Sequence, residues 1–143
     1  MGLVLHVADI PAASAFYGRL GFVETGSYPG ADGRTVVAFL SHGASVLLLG
    51  SRQELHYENA ERAALYRAGP MGLGAVVTLR VEDLAAVYAA VKDAGARIMM
   101  EPVDEFYGDR VFMFLDSDGY EWKISQTIAA VDPEAIRKVV AAS

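Results

Sequence analysis

The chain has 143 residues, no cysteine, 53% hydrophobic residues and a formal net charge of −6. That length and apolar content exclude a disordered chain and suffice for a buried core, and the missing cysteines exclude a disulfide scaffold, a zinc finger, an iron–sulfur site and a thiol nucleophile. No apolar run reaches the ~18 residues of a membrane-spanning helix, and the acidity opposes nucleic acid as a partner, so a soluble cytoplasmic protein is expected.

Leu3, Leu5 and Val7 alternate with Val4 and His6, the period-two pattern of a strand with one apolar face. Asp9 then stands where a helix N-cap belongs. Pro11 fits only in the first turn, and Phe16, Tyr17 and Leu20 supply the apolar side of a helix closed by Gly21. Strands are predicted over about 23–28, 34–40 and 45–49, separated by Pro29-Gly30, Asp32-Gly33 and His42-Gly43. The charged segment 51–73 carries a helical stretch with Tyr57, Ala60, Ala64 and Tyr66, ended by Gly69-Pro70. The opening pattern then returns. Val77, Leu79 and Val81 alternate with Thr78 and Arg80, and Asp83 caps a helix with Leu84, Val87, Tyr88 and Val91 on one face, ended by Gly95. Strands follow over about 96–101, 110–115 and 121–126, divided by Gly108-Asp109 and Asp116-Ser117-Asp118-Gly119. Asp132-Pro133-Glu134 finally starts a short helix to about Ala142.

Val7-Ala8-Asp9-Ile10 recurs 74 residues later as Val81-Glu82-Asp83-Leu84, and a glycine follows each aspartate by 12 residues. Such self-similarity marks an internal repeat. The fold class is α+β: two tandem βαβββ repeats forming a curved sheet with a concave ligand cleft. Repeat one runs over about 3–50, a connector over 51–73, repeat two over about 74–126 and a C-terminal helix over about 133–142, in a single domain 1–143. The excess acid sits in the second half: residues 1–73 hold 6 acids and 5 bases, residues 74–143 hold 12 and 7.

Val7-Ala8-Asp9-Ile10 with Phe16-Tyr17 and Leu20-Gly21-Phe22 carries a resemblance in the first half. Tyr107-Gly108-Asp109-Arg110, Phe112, and Asp116-Ser117-Asp118-Gly119-Tyr120-Glu121-Trp122 running into Ser125-Gln126 carry it in the second. In this order the chain resembles the vicinal oxygen chelate superfamily of glyoxalase I, bleomycin-resistance proteins, fosfomycin-resistance enzymes and extradiol dioxygenases. The resemblance is closest to the metal-free, bleomycin-resistance-like branch. It implies a homodimer that sequesters a planar or partly apolar antibiotic or natural product. The alternative it leaves open is a glyoxalase-like lyase, isomerase or transferase acting on a small carbonyl or thiol-adduct substrate.

Metal-dependent members of that superfamily place a ligand seven residues before each capping aspartate, and another four residues after the glycine of the late turn. These positions map onto Gly2, Val76 and Lys123, and, with Gly43 aligned to Gly119, onto Leu47. None can ligate a cation through its side chain and an ammonium repels one, so neither a metal nor another cofactor is expected. His6, His42 and His56 show no close ligand spacing.

If Asp116–Gly119 is a four-residue turn, Phe112 pairs with Lys123. Arg110, Phe112, Phe114, Glu121, Lys123 and Ser125 then face the cavity, with Val111, Met113, Trp122 and Ile124 under the helix. The expected ligand site therefore combines Leu47, Leu49, Phe112 and Phe114 for apolar contact with His6, Glu101, Arg110 and Lys123 for polar contact, with Tyr57 and Tyr107 at its mouth. No nucleophile elbow or phosphate-binding glycine loop is present, and no catalytic residue is assigned.

Overall fold

The structure, a computed structural model, describes residues 2–53, 60–69 and 71–142. In chain order its elements are β1 (Leu3–Val7), α1 (Ile10–Arg19), β2 (Val23–Pro29), β3 (Thr35–His42), β4 (Ser45–Ser51), α2 (Ala60–Ala68), β5 (Val76–Arg80), α3 (Leu84–Asp93), β6 (Arg97–Asp104), β7 (Asp109–Leu115), β8 (Glu121–Thr127) and α4 (Pro133–Ala141). The chain divides into two compact units, residues 1–71 with 117–119 and residues 72–116 with 120–143. Each holds one four-stranded sheet, ordered β1-β4-β3-β2 in the first and β5-β8-β7-β6 in the second. In each, the opening strand pairs parallel with the last and the other pairs are antiparallel. The architecture is α+β, two βαβββ repeats. Among the described residues no helix is long and apolar enough to cross a membrane.

The repeat extends to single hydrogen bonds. Asp9 Oδ1 accepts from Ala12 N and Asp83 Oδ1 from Ala86 N, both at 2.9 Å. Each cap satisfies one backbone donor that the first helical turn leaves orphaned, and is worth about 1 kcal/mol. At the other end Phe22 N donates to Tyr17 O and Gly21 N to Gly18 O; Ala96 N to Val91 O and Gly95 N to Lys92 O repeat the pattern. This double closure needs a left-handed residue, supplied by Gly21 at φ 93° and Gly95 at φ 76°.

Register sorts the side chains, because partners across a ladder share a face. In the first sheet Leu5, Leu49 and Ala38 form one row and Leu47 and Leu40 belong to the next, under α1. They are buried with Ile10, Tyr17 and Leu20. In the second sheet Leu79, Ile124 and Phe112 form a row beside Val77, Trp122 and Phe114. Tyr88 of α3 meets Phe112 at 5.2 Å, Phe112 stacks on Phe114 at 5.9 Å, and Phe114 on Trp122 at 6.3 Å. Burial of each phenylalanine contributes roughly 1.5–3 kcal/mol.

This corrects the predicted facing. The β7–β8 loop is five residues long, not four: Asp116 N donates to Tyr120 O at 3.1 Å while Asp116 Oδ1 accepts from Tyr120 N at 3.0 Å. The buried aspartate, whose Oδ2 also takes the Trp122 indole N–H at 3.0 Å, closes the loop one residue later. Leu115 therefore pairs with Glu121, and Phe112 with Ile124 instead of Lys123. A slip of one residue moves a strand's side chains to the other face. Phe112 and Phe114 are core residues at 0% exposure, and Val111 and Met113 take the side of Lys123. The first half shows the complement. Only Gly43 and Ala44 separate the paired His42 and Ser45, so aligning Gly43 with Gly119 is one residue out. Leu48 is the partner of Val4 as Lys123 is of Thr78, and Leu47 and Leu49, expected as pocket wall, are buried under α1.

Candidate functional site

The second sheet turns its polar groups to the side opposite α3. Arg80, Ser125, Lys123, Val111 and Met113 alternate with the core rows and share that side. Arg80 reaches Asp109 with both guanidinium arms, Nη2 to Oδ2 at 2.9 Å and Nη1 to Oδ1 at 3.2 Å. Thr127 Oγ1 accepts from Arg80 Nη1 and donates to Asp109 Oδ1 at 2.9 Å. Burial pushes the Asp109 carboxyl up, but the hydrogen bonds from Arg80 and Thr127 and the charges of Arg80 and Lys123 outweigh it and hold the group below its ordinary value. Arg80 and Asp109 thus satisfy each other. Lys123 is placed differently. Its ammonium donates to the Tyr107 hydroxyl at 2.9 Å and lies 5.4 Å from the centre of that ring. Both side chains are half-buried. Glu121 shares the face of Lys123, yet among the described residues no carboxylate reaches ion-pair distance of the ammonium.

Backbone geometry fixes Tyr107 and Asp109. Gly108, between them, has φ 90°. Glu105 N donates to Asp109 O at 2.8 Å and Gly108 N to Glu105 O at 3.0 Å, tightening the hairpin tip. The Gly108 carbonyl accepts from Ile128 N at 2.9 Å and Ala129 N at 3.1 Å. A Cβ at Gly108 would stand 2.3 Å from Ala129 O, so only glycine lets the tip close on the end of β8. Tyr-Gly-Asp is therefore a phenol and a carboxylate set on either side of a locked glycine.

On the corresponding side of the first sheet stand Val4, Leu48, Phe39 and Val37, continued on β2 by Tyr28, whose ring lies 6.0 Å from Phe39. His6 occupies the place that Arg80 has in the second sheet. Its ring meets Tyr66 of α2 edge-on at 4.8 Å, and Arg62 lies 5.5 Å from that tyrosine ring. Burial, then the charge of Arg62, lowers the His6 pKa and favours the neutral imidazole. Depressions of about 540 and 610 Å³ flank α1. Their charged lining groups Asp9, Arg34 and Glu24 are already engaged by Ala12 N, Asp32 and Ser14.

Of the expected site residues, the structure brings Lys123 and Tyr107 together and puts His6 on the matching side of its own sheet. Arg110 does not join Lys123. It pairs with Gln126 on the α3 side and grips Asp104 with two hydrogen bonds, at 2.5 and 2.9 Å. Glu101 also turns to α3, accepting from the Tyr88 hydroxyl. Leu47, Leu49, Phe112 and Phe114 are core, and Tyr57 and His56 lie outside the described residues. Sequence reasoning missed Asp109 and Thr127. It put Arg80 opposite the core by alternation, but only the true register shows which carboxylate it meets.

The four positions that hold the metal in metal-dependent members do not suit a divalent cation. With the register corrected, the superfamily's ligand positions are Gly2, Leu48, Val76 and Lys123, which offer no imidazole or carboxylate and one ammonium. Among the described residues no three His, Asp or Glu gather closely enough to hold an ion.

The model of the Glyoxalase/Bleomycin resistance protein/Dioxygenase superfamily matches residues 3–124. An uncharacterised protein of Mycobacterium tuberculosis is 26% identical over 137 residues, covering 93% of this chain and 77% of the relative. Among solved structures, a glyoxalase/bleomycin resistance protein/dioxygenase family enzyme from Burkholderia phytofirmans PsJN aligns with a TM-score of 0.68 at 22% identity, over 87% of this chain and 95% of that one. A bleomycin-binding protein complexed with bleomycin aligns with a TM-score of 0.57 at 24% identity, over 88% and 96%. At these identities the structural likenesses show the fold.

Proposed function

We propose that this chain, which belongs to the glyoxalase/bleomycin resistance protein/dioxygenase superfamily, binds a small organic molecule without a metal ion and holds it chemically unchanged. The observation that carries this reading is Lys123, a cation hydrogen-bonded to Tyr107 at the position where metal-dependent members keep a ligand. Sequestration needs a fitted surface and no reactive group, in agreement with a donor set that does not suit a metal. A planar, partly apolar antibiotic or natural product suits the thioether of Met113 beside Lys123 in the second unit, and the apolar face of Val4, Leu48 and Phe39 in the first. The bleomycin-binding protein of the same fold, solved with its ligand, supports this class of function. The working form we assign is a cytoplasmic homodimer.

Thermal unfolding tests the reading. Ni²⁺, Zn²⁺, Mn²⁺ or Fe²⁺ added to chelator-treated protein should leave the melting temperature unchanged. Bleomycin or another aromatic natural product from a panel should raise it, because a ligand of the folded state alone adds stability, and should be recovered intact. Stoichiometric stabilisation by a metal would overturn metal independence. Recovery of a converted compound with turnover would favour the glyoxalase-like enzyme reading, with the Tyr107 hydroxyl as its candidate acid–base group.

A further inference from the structure

We propose that Lys123 and Tyr107 form a receptor for a carboxylate, so that the small molecule this protein binds carries one; the inference rests on the metal-independent binding reading above. Donor capacity is the first ground. The Tyr107 oxygen accepts from Lys123 Nζ at 2.9 Å, so the phenol's own proton must go to another acceptor, and two of the three ammonium protons remain to be placed. Among the described residues neither side chain has another hydrogen-bond partner.

Charge is the second. A half-buried ammonium is costly to hold without an acceptor for its protons. Lys123 extends to the phenol and not to Glu121 on its own face. Asp109, whose charge it feels, is already engaged by Arg80 and Thr127. Lys123 is therefore, among the described residues, a cation without an ion-pair partner, set beside a hydroxyl donor.

Ligand chemistry is the third. A carboxylate carries one negative charge and two oxygens, which can take an N–H and an O–H side by side in short, charge-assisted hydrogen bonds. A dianion such as a phosphate monoester would meet a single ammonium and feel the carboxylates of Asp109 and Glu121. Met113, the cross-strand partner of Lys123, and Met100 beyond it supply apolar contact for the rest of the molecule.

Calorimetric titration of the full chain with cinnamate and with its neutral isostere cinnamamide tests this. Wild type should bind cinnamate about tenfold or more tightly than the amide, the range expected for hydrogen bonds to a charged group. Lys123→Met should bring cinnamate to the amide's affinity, Lys123→Arg should restore most of the difference, and Tyr107→Phe should cost about three- to tenfold. Lys92→Met, on the exposed side of α3, should change neither. Melting curves establish that each variant is folded.

Equal affinity for acid and amide, or cinnamate binding that survives Lys123→Met, would overturn the carboxylate receptor and leave small-molecule binding standing. Failure of wild type to bind cinnamate at millimolar concentration overturns it as well. If the natural-product panel also fails to bind, both readings fall.

Discussion

The two repeats are the same framework carrying different second faces. Both helices start on an aspartate that accepts at 2.9 Å and end on a glycine with positive φ, and both sheets have the same strand order. On the side away from its helix the first sheet is aliphatic and aromatic, with one histidine against Tyr66; the second is built from Arg80, Asp109, Thr127, Lys123 and Tyr107. The difference shows where this chain varies its chemistry at little structural cost. The helix-facing rows are committed to the core, and the opposite rows and the loop lengths are free to diverge.

The largest test of that division sets Phe114 against Lys123, nine positions and one face apart. Phe114→Ala should cost about 3–5 kcal/mol in urea unfolding, because it empties a site at 0% exposure between Phe112 and Trp122. Leu49→Ala in the first unit should cost about 2–5 kcal/mol. Lys123→Met should cost no more than about 1 kcal/mol, as for a half-buried polar contact. A small loss for Phe114→Ala would mean that the five-residue loop and its register are wrong.

The hairpin glycines come next. Gly33 and Gly108 both have positive φ, 80° and 90°, but a Cβ at Gly33 meets nothing within 4 Å while one at Gly108 meets the Ala129 carbonyl. Gly33→Ala should cost about 1–2 kcal/mol for its backbone conformation alone. Gly108→Ala should exceed that by about 2 kcal/mol or more, since the neighbour is backbone that cannot step aside. The two caps should be nearly equal instead: Asp9→Ala and Asp83→Ala each lose about 1 kcal/mol in the same assay, and a twofold disparity would break the equivalence of the helices.

What the sequence made legible was local. Asp9, Asp83, Gly21 and Gly95 announce the helix ends because capping is decided within a few residues. The register of β8 is not local. It depends on Asp116 folding its carboxylate back onto Tyr120 N and the Trp122 indole, and a turn of four residues looks equally sound in the letters Asp-Ser-Asp-Gly. That one residue carried Phe112 and Phe114 out of the expected site and parted Arg110 from Lys123. Lys123 and Tyr107, both expected at the site, lie within hydrogen-bond reach of each other. Asp109 and Thr127 could not be found, since their partnership with Arg80 joins three strands.

The smallest effect contrasts His6 with Arg80, the equivalent position of the second repeat. Arg80 is paired with Asp109, whereas burial and then Arg62 lower the pKa of His6 below its ordinary 6.5. The folded state therefore resists protonation that the unfolded chain accepts. Above pH ~6.5 both states are neutral at His6 and its contribution is complete. As pH falls through the interval between the unfolded and folded pKa values, the unfolded state binds more protons and stability declines. Urea unfolding of wild type and His6→Gln between pH 8 and 5 should show the wild type losing more stability below pH ~6.5, with the curves parallel above it. His42 and His56 are common to both proteins, so the difference isolates His6. Curves parallel throughout would mean that Tyr66 and Arg62 leave the imidazole as hydrated as in the unfolded chain, and the asymmetry between the two faces would then lie in the second sheet alone.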